Sequence, residues 1–326
     1  MKLNLYDENL KRTAIINSNF VSCLWKENYN DAGNFTLEMQ DTEEYRQKFR
    51  PDCYIGRSDR KVLMIIKTVV VKNGRLVASG KSAVRELEDV AFIGKIPAGS
   101  IIPQSIKTAY YNSEKAPNIE IPESNLQDAY SSDISNKSFL EICKTMCQSS
   151  DVGFKAVKSG EKINVEFYKP EEKANLKFSR FIGNLQDEQV TMSNENFKNY
   201  AIVLGRGEDE NRTRVDVDLS AGAQKYQIII DARDIQREEN ETDEDYQSRL
   251  EIRGIERLLQ QTKTWNVSFV PYAAEFGSKY DLGDIVTVYL MDYQMTIKAR
   301  ITAFQQKEQN NLLSTVITVG SLTIVR

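Results

Sequence analysis

Residues 281–306 read DLGDIVTVYLMDYQMTIKARITAFQQ and hold the clearest strand pattern of the chain. In this stretch Met295, Ile297, Ala299 and Ile301 alternate with polar residues. Successive side chains of a β-strand point to opposite faces, so the alternation predicts a strand with one buried and one exposed face. The stretch therefore predicts strands that pair over an apolar core.

An acidic lead-in precedes these strands and raises the question of a catalytic site. Asp281 and Asp284 form a candidate carboxylate pair, and such pairs perform acid–base chemistry when their surroundings move their pKa values apart. Asp-Leu-Gly-Asp is also typical of a turn, because Gly283 accepts a positive φ and Asp side chains bond nearby backbone N–H groups. No histidine, lysine or cysteine partner is recognisable near the pair in sequence, so we interpret it as a turn.

The composition is that of a folded chain with more than one domain. A length of 326 residues favours two or three domains, and 40% apolar with 28% charged residues is the balance of a globular protein. The 43 basic and 47 acidic residues give a net charge of -4 without a basic block, which disfavours a dedicated nucleic-acid binder.

Missing residue types and segments exclude further classes. The chain has no histidine, the side chain most used for proton transfer near neutral pH and for binding zinc. Its four cysteines are too sparse for a disulfide framework, which indicates synthesis in a reducing cytosol. We find neither an export signal nor a run of about 18 uncharged apolar residues, so we expect no membrane span.

The N-terminal 95 residues predict a meander of short strands. After Lys61 the run VLMIIKTVVV leads through Lys72, Asn73 and Gly74 into RLVASG. Asn-Gly suits the positive φ angles of a tight hairpin turn, so we predict a strand, a turn and a strand here.

The middle of the chain predicts a small mixed α/β insertion at 96–180. Glycines and prolines, which break helices and central strands, interrupt the pattern from about residue 92 to residue 122 and predict a boundary there. Ser138 and Glu141 form a capping-box signature for a helix that ends before Gly153. Its apolar face would consist of Phe139, Cys143, Met146 and Cys147. Alternation at Ile163, Val165 and Phe167 predicts a strand after it.

Strand patterns return in residues 181–326, at 200–204, 213–219, 226–230, 265–269 and 313–319. A helix is predicted at 243–262, capped by Thr242 with Asp245. At about 100° per residue, Ile252, Ile255, Leu258 and Leu259 share one face of it. We therefore predict a mainly β protein, α+β overall, with β-rich units at 1–95 and 181–326 around the insertion.

Three further motifs resemble sites but lack required residues. Asp216, Asp218 and Ser220 have the spacing of a calcium loop, yet Ala221 stands where glycine is needed and Gln227 where glutamate is needed, so we interpret an exposed acidic strand.

Cys143 and Cys147 are one helical turn apart, but a tetrahedral site would need the distant Cys23 and Cys53, so we interpret helix packing. Gly205 and Gly207 are followed by acidic residues at 208–210 and open no helix, so we interpret a hairpin loop rather than a phosphate cradle. We assign no catalytic, cofactor-binding or metal-binding residue and expect no cofactor.

The layout resembles the hub proteins of long-tailed bacteriophages, in particular the siphovirus family of Gp37-like tail proteins. The residues that carry the resemblance in the N-terminal part are 24–25 (LW), Tyr29, 33–37 (GNFTL), 65–66 (II), Gly80 and 87–88 (LE). In the C-terminal part they are 231–234 (DARD), Tyr246, Leu250 and 282–286 (LGDIV).

The resemblance implies two β-barrel-like hub domains with an inserted mixed domain and a helix inserted in the second barrel. It implies a homotrimeric ring that joins a hexameric tail tube or distal tail protein to a central spike, fibre or tail lysin. The protein would be a non-enzymatic part of the virion tail tip, made in the host cytoplasm, with DNA only in transit through its lumen. Because the chain ends at Arg326, we expect any hydrolase or spike function in a separate protein.

Two other functions remain open from the sequence. A glycan-cleaving enzyme needs only two carboxylates and no histidine. A carbohydrate-binding module would show clustered exposed aromatic residues, whereas the 15 tyrosines are spread along the chain.

Overall fold

The computed structural model describes residues 1–17, 20–208, 211–238, 241–271 and 275–325, without the side chains of 264–265 and 321–325. Its N-terminal part is a meander of strands with one short helix. These elements are β1 (Lys2–Tyr6), β2 (Arg12–Asn17), β3 (Phe20–Asn28), β4 (Asp31–Gln40), α1 (Glu43–Lys48), β5 (Tyr54–Arg57), β6 (Leu63–Lys72) and β7 (Arg75–Ser82).

The predicted hairpin is confirmed. Lys72 of β6 pairs with Arg75 of β7, and Asn73 and Gly74 between them have φ angles of 52° and 72°. Two successive positive φ angles are those of the turn that matches strand twist, which is why Asn-Gly is suited to this position.

The middle part combines helices with short strands and follows a 3₁₀ turn at Ala83–Asp89. Its elements are β8 (Ala91–Ile96), α2 (Ile102–Tyr111), β9 (Ile119–Glu120), β10 (Ile134–Ser138), α3 (Phe139–Ser149), β11 (Gly153–Ser159) and β12 (Lys162–Tyr168). The α3 prediction is confirmed, since Ser138 accepts a hydrogen bond from the Glu141 N–H and the predicted apolar face is buried.

Helix α2 lies in the segment where we expected glycines and prolines to break helices. Pro103 does not break it, because it stands in the first turn, where its missing N–H has no intrahelical partner to lose. Ile102, Ile106 and Tyr110 of this helix are fully buried. The proline here starts a helix, and the sequence interpretation of this segment as irregular was wrong.

The C-terminal part returns to strands. Its elements are β13 (Glu172–Ser179), β14 (Leu185–Ser193), β15 (Tyr200–Leu204), β16 (Arg214–Asp218), β17 (Gln227–Asp231), α4 (Asp243–Gln260), β18 (Thr264–Pro271), β19 (Ile285–Leu290), β20 (Met295–Gln309) and β21 (Leu312–Val325). In β20 the predicted alternation is confirmed, because Ile297, Ala299 and Ile301 are buried.

The long strand β20 connects the two ends of the chain. Its first half pairs with β19, and its second half pairs antiparallel with β3, from Ala303 opposite Asn28 to Gln309 opposite Ser22. On its other side it pairs with β21 along most of its length. One hydrogen-bonded sheet therefore contains strands of both β-rich parts, although β15, β16 and β17 do not belong to it.

Helix α4 packs on a separate three-stranded sheet in which β15 lies between β16 and β17. Its predicted cap is confirmed, because Thr242 accepts a hydrogen bond from the Asp245 N–H. The predicted buried face was wrong in part, since Leu258 is buried and Ile255 packs against the core, but Ile252 and Leu259 are exposed. The buried face is Tyr246, Leu250, Gly254 and Leu258, where a glycine lets the helix lie close to the sheet.

Four apolar cores lie among the described residues, and β6 separates two of them. Leu63 and Ile65 of β6 face the core of the middle part, whereas Met64 and Ile66 face the core of the N-terminal strands. A strand buried on both faces reads as a continuous apolar run, which explains the sequence VLMII. The predicted domain limits at 95/96 and 180/181 stay a prediction.

Candidate functional site

The acidic lead-in at Asp281 and Asp284 is a turn, as predicted. The Asp284 N–H donates to the Asp281 carbonyl over 3.2 Å, and Gly283 has a φ of 89°. Asp284 Oδ2 accepts from the Asp281 N–H over 3.0 Å, and Asp284 Oδ1 accepts from the Glu171 N–H over 2.9 Å. The Asp284 carboxylate therefore holds backbone groups at the start of β19.

Asp281 contacts a buried ion pair that the sequence interpretation missed. Arg60 donates to both carboxylate oxygens of Glu27, over 2.8 Å and 2.7 Å, and to Asp281 Oδ1 over 3.1 Å. The side chains of Glu27 and Arg60 are 3% and 11% exposed. Trp25 Nε1 donates to Glu27 over 2.9 Å. We refer to Trp25, Glu27, Arg60 and Asp281 as the junction network, because it joins the N-terminal and C-terminal strands.

Aromatic rings and charge together stabilise Arg60 in this place. Its guanidinium lies 4.6 Å from the centre of the Phe276 ring, which stacks on Phe304 at 3.9 Å. Burial alone would lower the pKa of Arg60, but the charges of Glu27 and Asp281 raise it above its ordinary value. Arg60 is thus a charged structural contact at the centre of the junction network.

The space beside the junction network does not hold a substrate. The cavity there has a volume of about 30 Å³, which is room for about one water molecule.

The middle part of the chain also contacts this region. Tyr168 donates to the Leu282 carbonyl over 3.0 Å, and the Lys155 ammonium lies 4.9 Å from the centre of the Tyr168 ring. The N-terminal, middle and C-terminal parts of the chain therefore meet beside the junction network.

The acidic strand around Asp216 and Asp218 is exposed, as predicted, and both carboxylates are also ion-paired. Arg214 contacts Asp216 at 2.7 Å, and Lys225 contacts Asp218 at 2.7 Å. Hydrogen bonds from Lys225 and Ser220 lower the pKa of Asp218 to about 2. In the described ranges, no group of three or more His, Cys, Asp or Glu side chains has a geometry that could hold a metal ion.

Cys143 and Cys147 pack inside the core of the middle part, which confirms the interpretation as helix packing. Burial raises the pKa of Cys143 to about 12 and that of Cys147 well above its ordinary value. Cys23 and Cys53 lie in the different core of the N-terminal strands. The four thiols are therefore divided between two cores and do not form one site.

The Gly205 and Gly207 segment is a hairpin loop, as predicted. The Gly205 N–H donates to the Thr213 carbonyl over 2.8 Å, and the Thr213 N–H donates to the Arg206 carbonyl over 3.0 Å. Asp209 and Glu210 lie outside the described residues.

An exposed apolar surface was not predicted from the sequence. Phe181 and Ile182, between β13 and β14, are 86% and 59% exposed. Met291 and Tyr293, after β19, are also exposed. We name these four residues the apolar tip. A clue to it was the pair FI between two strands, followed by glycine, where polar turn residues are usual.

An ion pair joins the two loops of the apolar tip. Arg180 donates to Glu188 and to Asp292, over 2.6 Å in each case. The preceding residues Ser179 and Tyr289 are paired neighbours in the parallel strands β13 and β19. The apolar tip is therefore a single surface built on ordered strands, which makes it a candidate for protein contact.

Sequence similarity places the chain in a known family. The sequence model of the Siphovirus ReqiPepy6 Gp37-like protein family matches residues 99–321. The chain belongs to this family. The match confirms the resemblance that the sequence motifs indicated, although the N-terminal motifs precede the matched range. No curated protein sequence gives a match.

Solved tail proteins share this fold along nearly the whole chain. Prophage tail protein gp18 from Listeria monocytogenes EGD-e has a TM-score of 0.60 at 12% identity, covering 98% of this chain and 94% of that chain. The tail protein from Neisseria meningitidis MC58 has a TM-score of 0.61 at 11% identity, with coverages of 98% and 96%. The 43 kDa tail protein of prophage MuSo2 from Shewanella oneidensis has a TM-score of 0.59 at 12% identity, and the match covers 98% of both chains.

These likenesses extend to the N-terminal motifs. At such low identity they show the fold, and the fold is that of prophage tail proteins. No helix in the described residues is long and apolar enough to cross a membrane.

Proposed function

We propose that the chain is a structural hub subunit in the tail tip or baseplate of a long-tailed phage or a phage-derived tail. In this proposal three copies form a ring that joins a hexameric tail tube or distal tail protein to a central spike, fibre or tail lysin. The observation that carries the proposal is the fold match over 98% of the chain to two prophage tail proteins and to the tail protein from Neisseria meningitidis MC58.

The proposal includes two barrel-like hub domains, in residues 1–95 and 181–326, around an insertion at 96–180, and β13, at the end of the insertion, adds to the sheet of the second hub domain. Strand connections support it. The strands β13 and β14 lie at opposite ends of the order β13-β19-β20-β21-β18-β14, yet only residues 180–184 connect them. In the N-terminal part β2 and β3 end the order β3-β4-β7-β6-β5-β1-β2, and two residues separate them in the chain. A curled sheet brings such edge strands together.

Subunit contact is the role we assign to the apolar tip. A contact between unlike surfaces of identical subunits closes into a ring when the rotation is right. Large apolar side chains at the centre of such contacts supply most of the binding free energy.

The net charge of the chain is -4. In this proposal the ring presents acidic residues to DNA in transit through its lumen, and the repulsion between like charges keeps the DNA from binding there.

A non-enzymatic role is part of the proposal. The one carboxylate pair that the sequence offered holds a turn and an arginine, beside a cavity of about 30 Å³. A cell-wall release assay tests this part. We expect no release of soluble fragments, and release that disappears when a single carboxylate is replaced would overturn it.

The oligomeric state tests the ring. Multi-angle light scattering of the purified chain is expected to give a mass of three 37.3 kDa chains, and with its tube or distal tail partner a mass of three chains plus the bound partner. Negative-stain images of that species are expected to show rings. A chain that stays monomeric at high concentration and beside its partner would contradict the proposal.

A further inference from the structure

A large groove lies on the side of the molecule where the middle part meets β5 and β6. Its volume is about 960 Å³, near the upper end of the range of roughly 300–1,000 Å³ that is usual for binding sites. Tyr54 and Lys67 line one part of it, Glu86 of the 3₁₀ turn lines another, and Ile93 and residues 112–118 line the rest. We name it the acidic groove, because five carboxylates and two lysines line it.

Two of these carboxylates form no salt bridge with the residues that the structure describes. Glu8, Asp52 and Asp89 form ion pairs with neighbouring basic side chains. Glu86 accepts a hydrogen bond from the Tyr54 hydroxyl through Oε1, but its Oε2 is buried and accepts none. Among the described residues, exposed Glu114 has no ion pair either. The groove therefore keeps uncompensated negative charge on two sides.

The environment of Glu86 favours the approach of a cation. Burial raises the pKa of its carboxyl group above the ordinary value, although Lys67 acts in the opposite direction. A second positive charge in the groove would stabilise the ionised carboxylate. This is charge complementarity that the chain does not supply itself.

A strand edge runs along the same groove. In the part of the chain that the structure describes, β8 pairs with β10 alone, so its other edge is unpaired. Ala91 and Ile93 of β8 line the groove, and the Ile93 side chain is 90% exposed. Unpaired edges present backbone N–H and C=O groups that an extended peptide can pair with.

We propose that the acidic groove binds an extended basic segment of a partner protein, which adds as a strand to the edge of β8. A lysine or arginine of that segment lies against Glu86, and an apolar residue of the segment packs on Ile93. Backbone pairing supplies affinity in this binding mode, and the side-chain contacts supply specificity. The inference stands on the groove and does not require a trimeric ring.

Binding of labelled hexapeptides to the full chain tests the proposal. The probe is a fluorescein-labelled peptide of alternating lysine and valine, followed by anisotropy, and the control peptide alternates glutamate and valine. We expect binding of the lysine peptide only, weakened when salt rises from about 0.05 M to about 0.5 M. A third peptide, with alternate backbone amides N-methylated, is expected not to bind, because it lacks the donors for strand pairing.

Matched variants locate the binding. Glu86→Gln keeps an acceptor for Tyr54 and is expected to weaken binding at least about tenfold. Ile93→Lys, at an exposed position, is expected to abolish binding by like charge. Glu161→Gln removes an exposed carboxylate outside the groove and is expected to change the affinity by less than about twofold. Circular dichroism checks that each variant is folded.

Three results would overturn the proposal. The first is equal binding of the lysine and glutamate peptides, and the second is equal affinity of the Glu86→Gln and Glu161→Gln variants. The third is self-association of the wild-type chain that excess lysine peptide reverses and that Ile93→Lys abolishes, since the occupant would then be a second copy. Unchanged affinity of the N-methylated peptide would overturn the strand addition.

Discussion

At the scale of single residues, we expect Arg60 to have the greatest effect on the stability of the protein. It compensates Glu27, which is 3% exposed, and it also contacts Asp281, far away in the chain. Removing one partner of a buried ion pair leaves a charge without compensation. Arg60 therefore offsets the free-energy cost of burying the Glu27 carboxylate.

We predict that Arg60→Ala lowers the free energy of unfolding by about 3–5 kcal/mol. Urea denaturation followed by circular dichroism measures it. The control is Arg50→Ala, which breaks an ion pair with Glu8 in which both side chains are more than half exposed, and is expected to cost about 1 kcal/mol or less. Similar losses in both variants would contradict a structural role for the junction network.

The thiols give a prediction that depends on pH. Burial raises the pKa of Cys23 and of Cys143 to about 12, so these thiols stay protonated in the folded chain at pH 8. The thiolate is the reactive form. We predict that Ellman's reagent does not react quickly with the native protein and that the rate hardly rises from about pH 7 to about pH 9. In the unfolded chain, where thiols titrate near pH 8.5, it rises steeply.

Counting the labelled thiols completes this test. In urea all four cysteines, which are free and buried in the fold, are expected to react. One thiol that reacts within seconds in the native protein would show that its core opens readily.

At the scale of elements, the position of α4 depends on a residue without a side chain. A Cβ atom at Gly254 would lie 2.5 Å from Val217 Cγ2 and 2.9 Å from Val203 Cγ2. Both valines belong to the sheet beneath the helix and have stiff side chains. The absence of a side chain at this position therefore sets the distance between α4 and the sheet.

We predict that Gly254→Ala destabilises the protein by about 1–3 kcal/mol through overpacking. Helix propensity alone would give the opposite sign, since alanine is favoured over glycine by about 1 kcal/mol inside a helix. The control is Leu259→Ala on the exposed face of the same helix, with an expected change below about 0.5 kcal/mol. A stabilised Gly254→Ala variant in urea denaturation would show that the helix can move away without cost.

At the scale of the whole molecule, the distribution of exposed apolar residues points to assembly. The large exposed side chains Phe181 and Ile182 stand together on a loop that an ion pair holds in place. An isolated chain gains nothing from this arrangement, whereas a subunit in a ring buries it.

We predict that the double variant Phe181→Ser with Ile182→Ser dissociates the proposed trimer without unfolding the chain. Light scattering measures the mass, and far-ultraviolet circular dichroism measures the fold. Leu259→Ser, at another exposed apolar position, is expected to leave the mass unchanged. A double variant that keeps the mass of the wild-type species would exclude the apolar tip as the subunit contact.

Predictions from the sequence succeeded where the signal is local. Alternation located β20, the Ser138 and Thr242 caps located the starts of two helices, and Asn73 with Gly74 located a hairpin. Each of these signals arises from residues within a few positions of one another, and the backbone responds to them directly. The interpretation of Asp281 and Asp284 as a turn was local in the same way.

Predictions failed, or were not possible, where the structure depends on contacts between distant parts of the chain. The side of α4 that is buried depends on the sheet it meets, and the apolar residues of α2 are buried because they meet the core of the middle part.

The amino-acid pattern alone therefore determined a mainly β chain, the main strands and caps, and the tail-protein family, because these depend on local backbone preference and on motifs. Tertiary structure alone decided that Arg60 meets Glu27 and Asp281, that Phe181 is exposed, and that Glu86 faces a groove. The charge compensation of Arg60 depends in part on Asp281, 221 positions away in the chain. Such contacts exist only after the strands have paired.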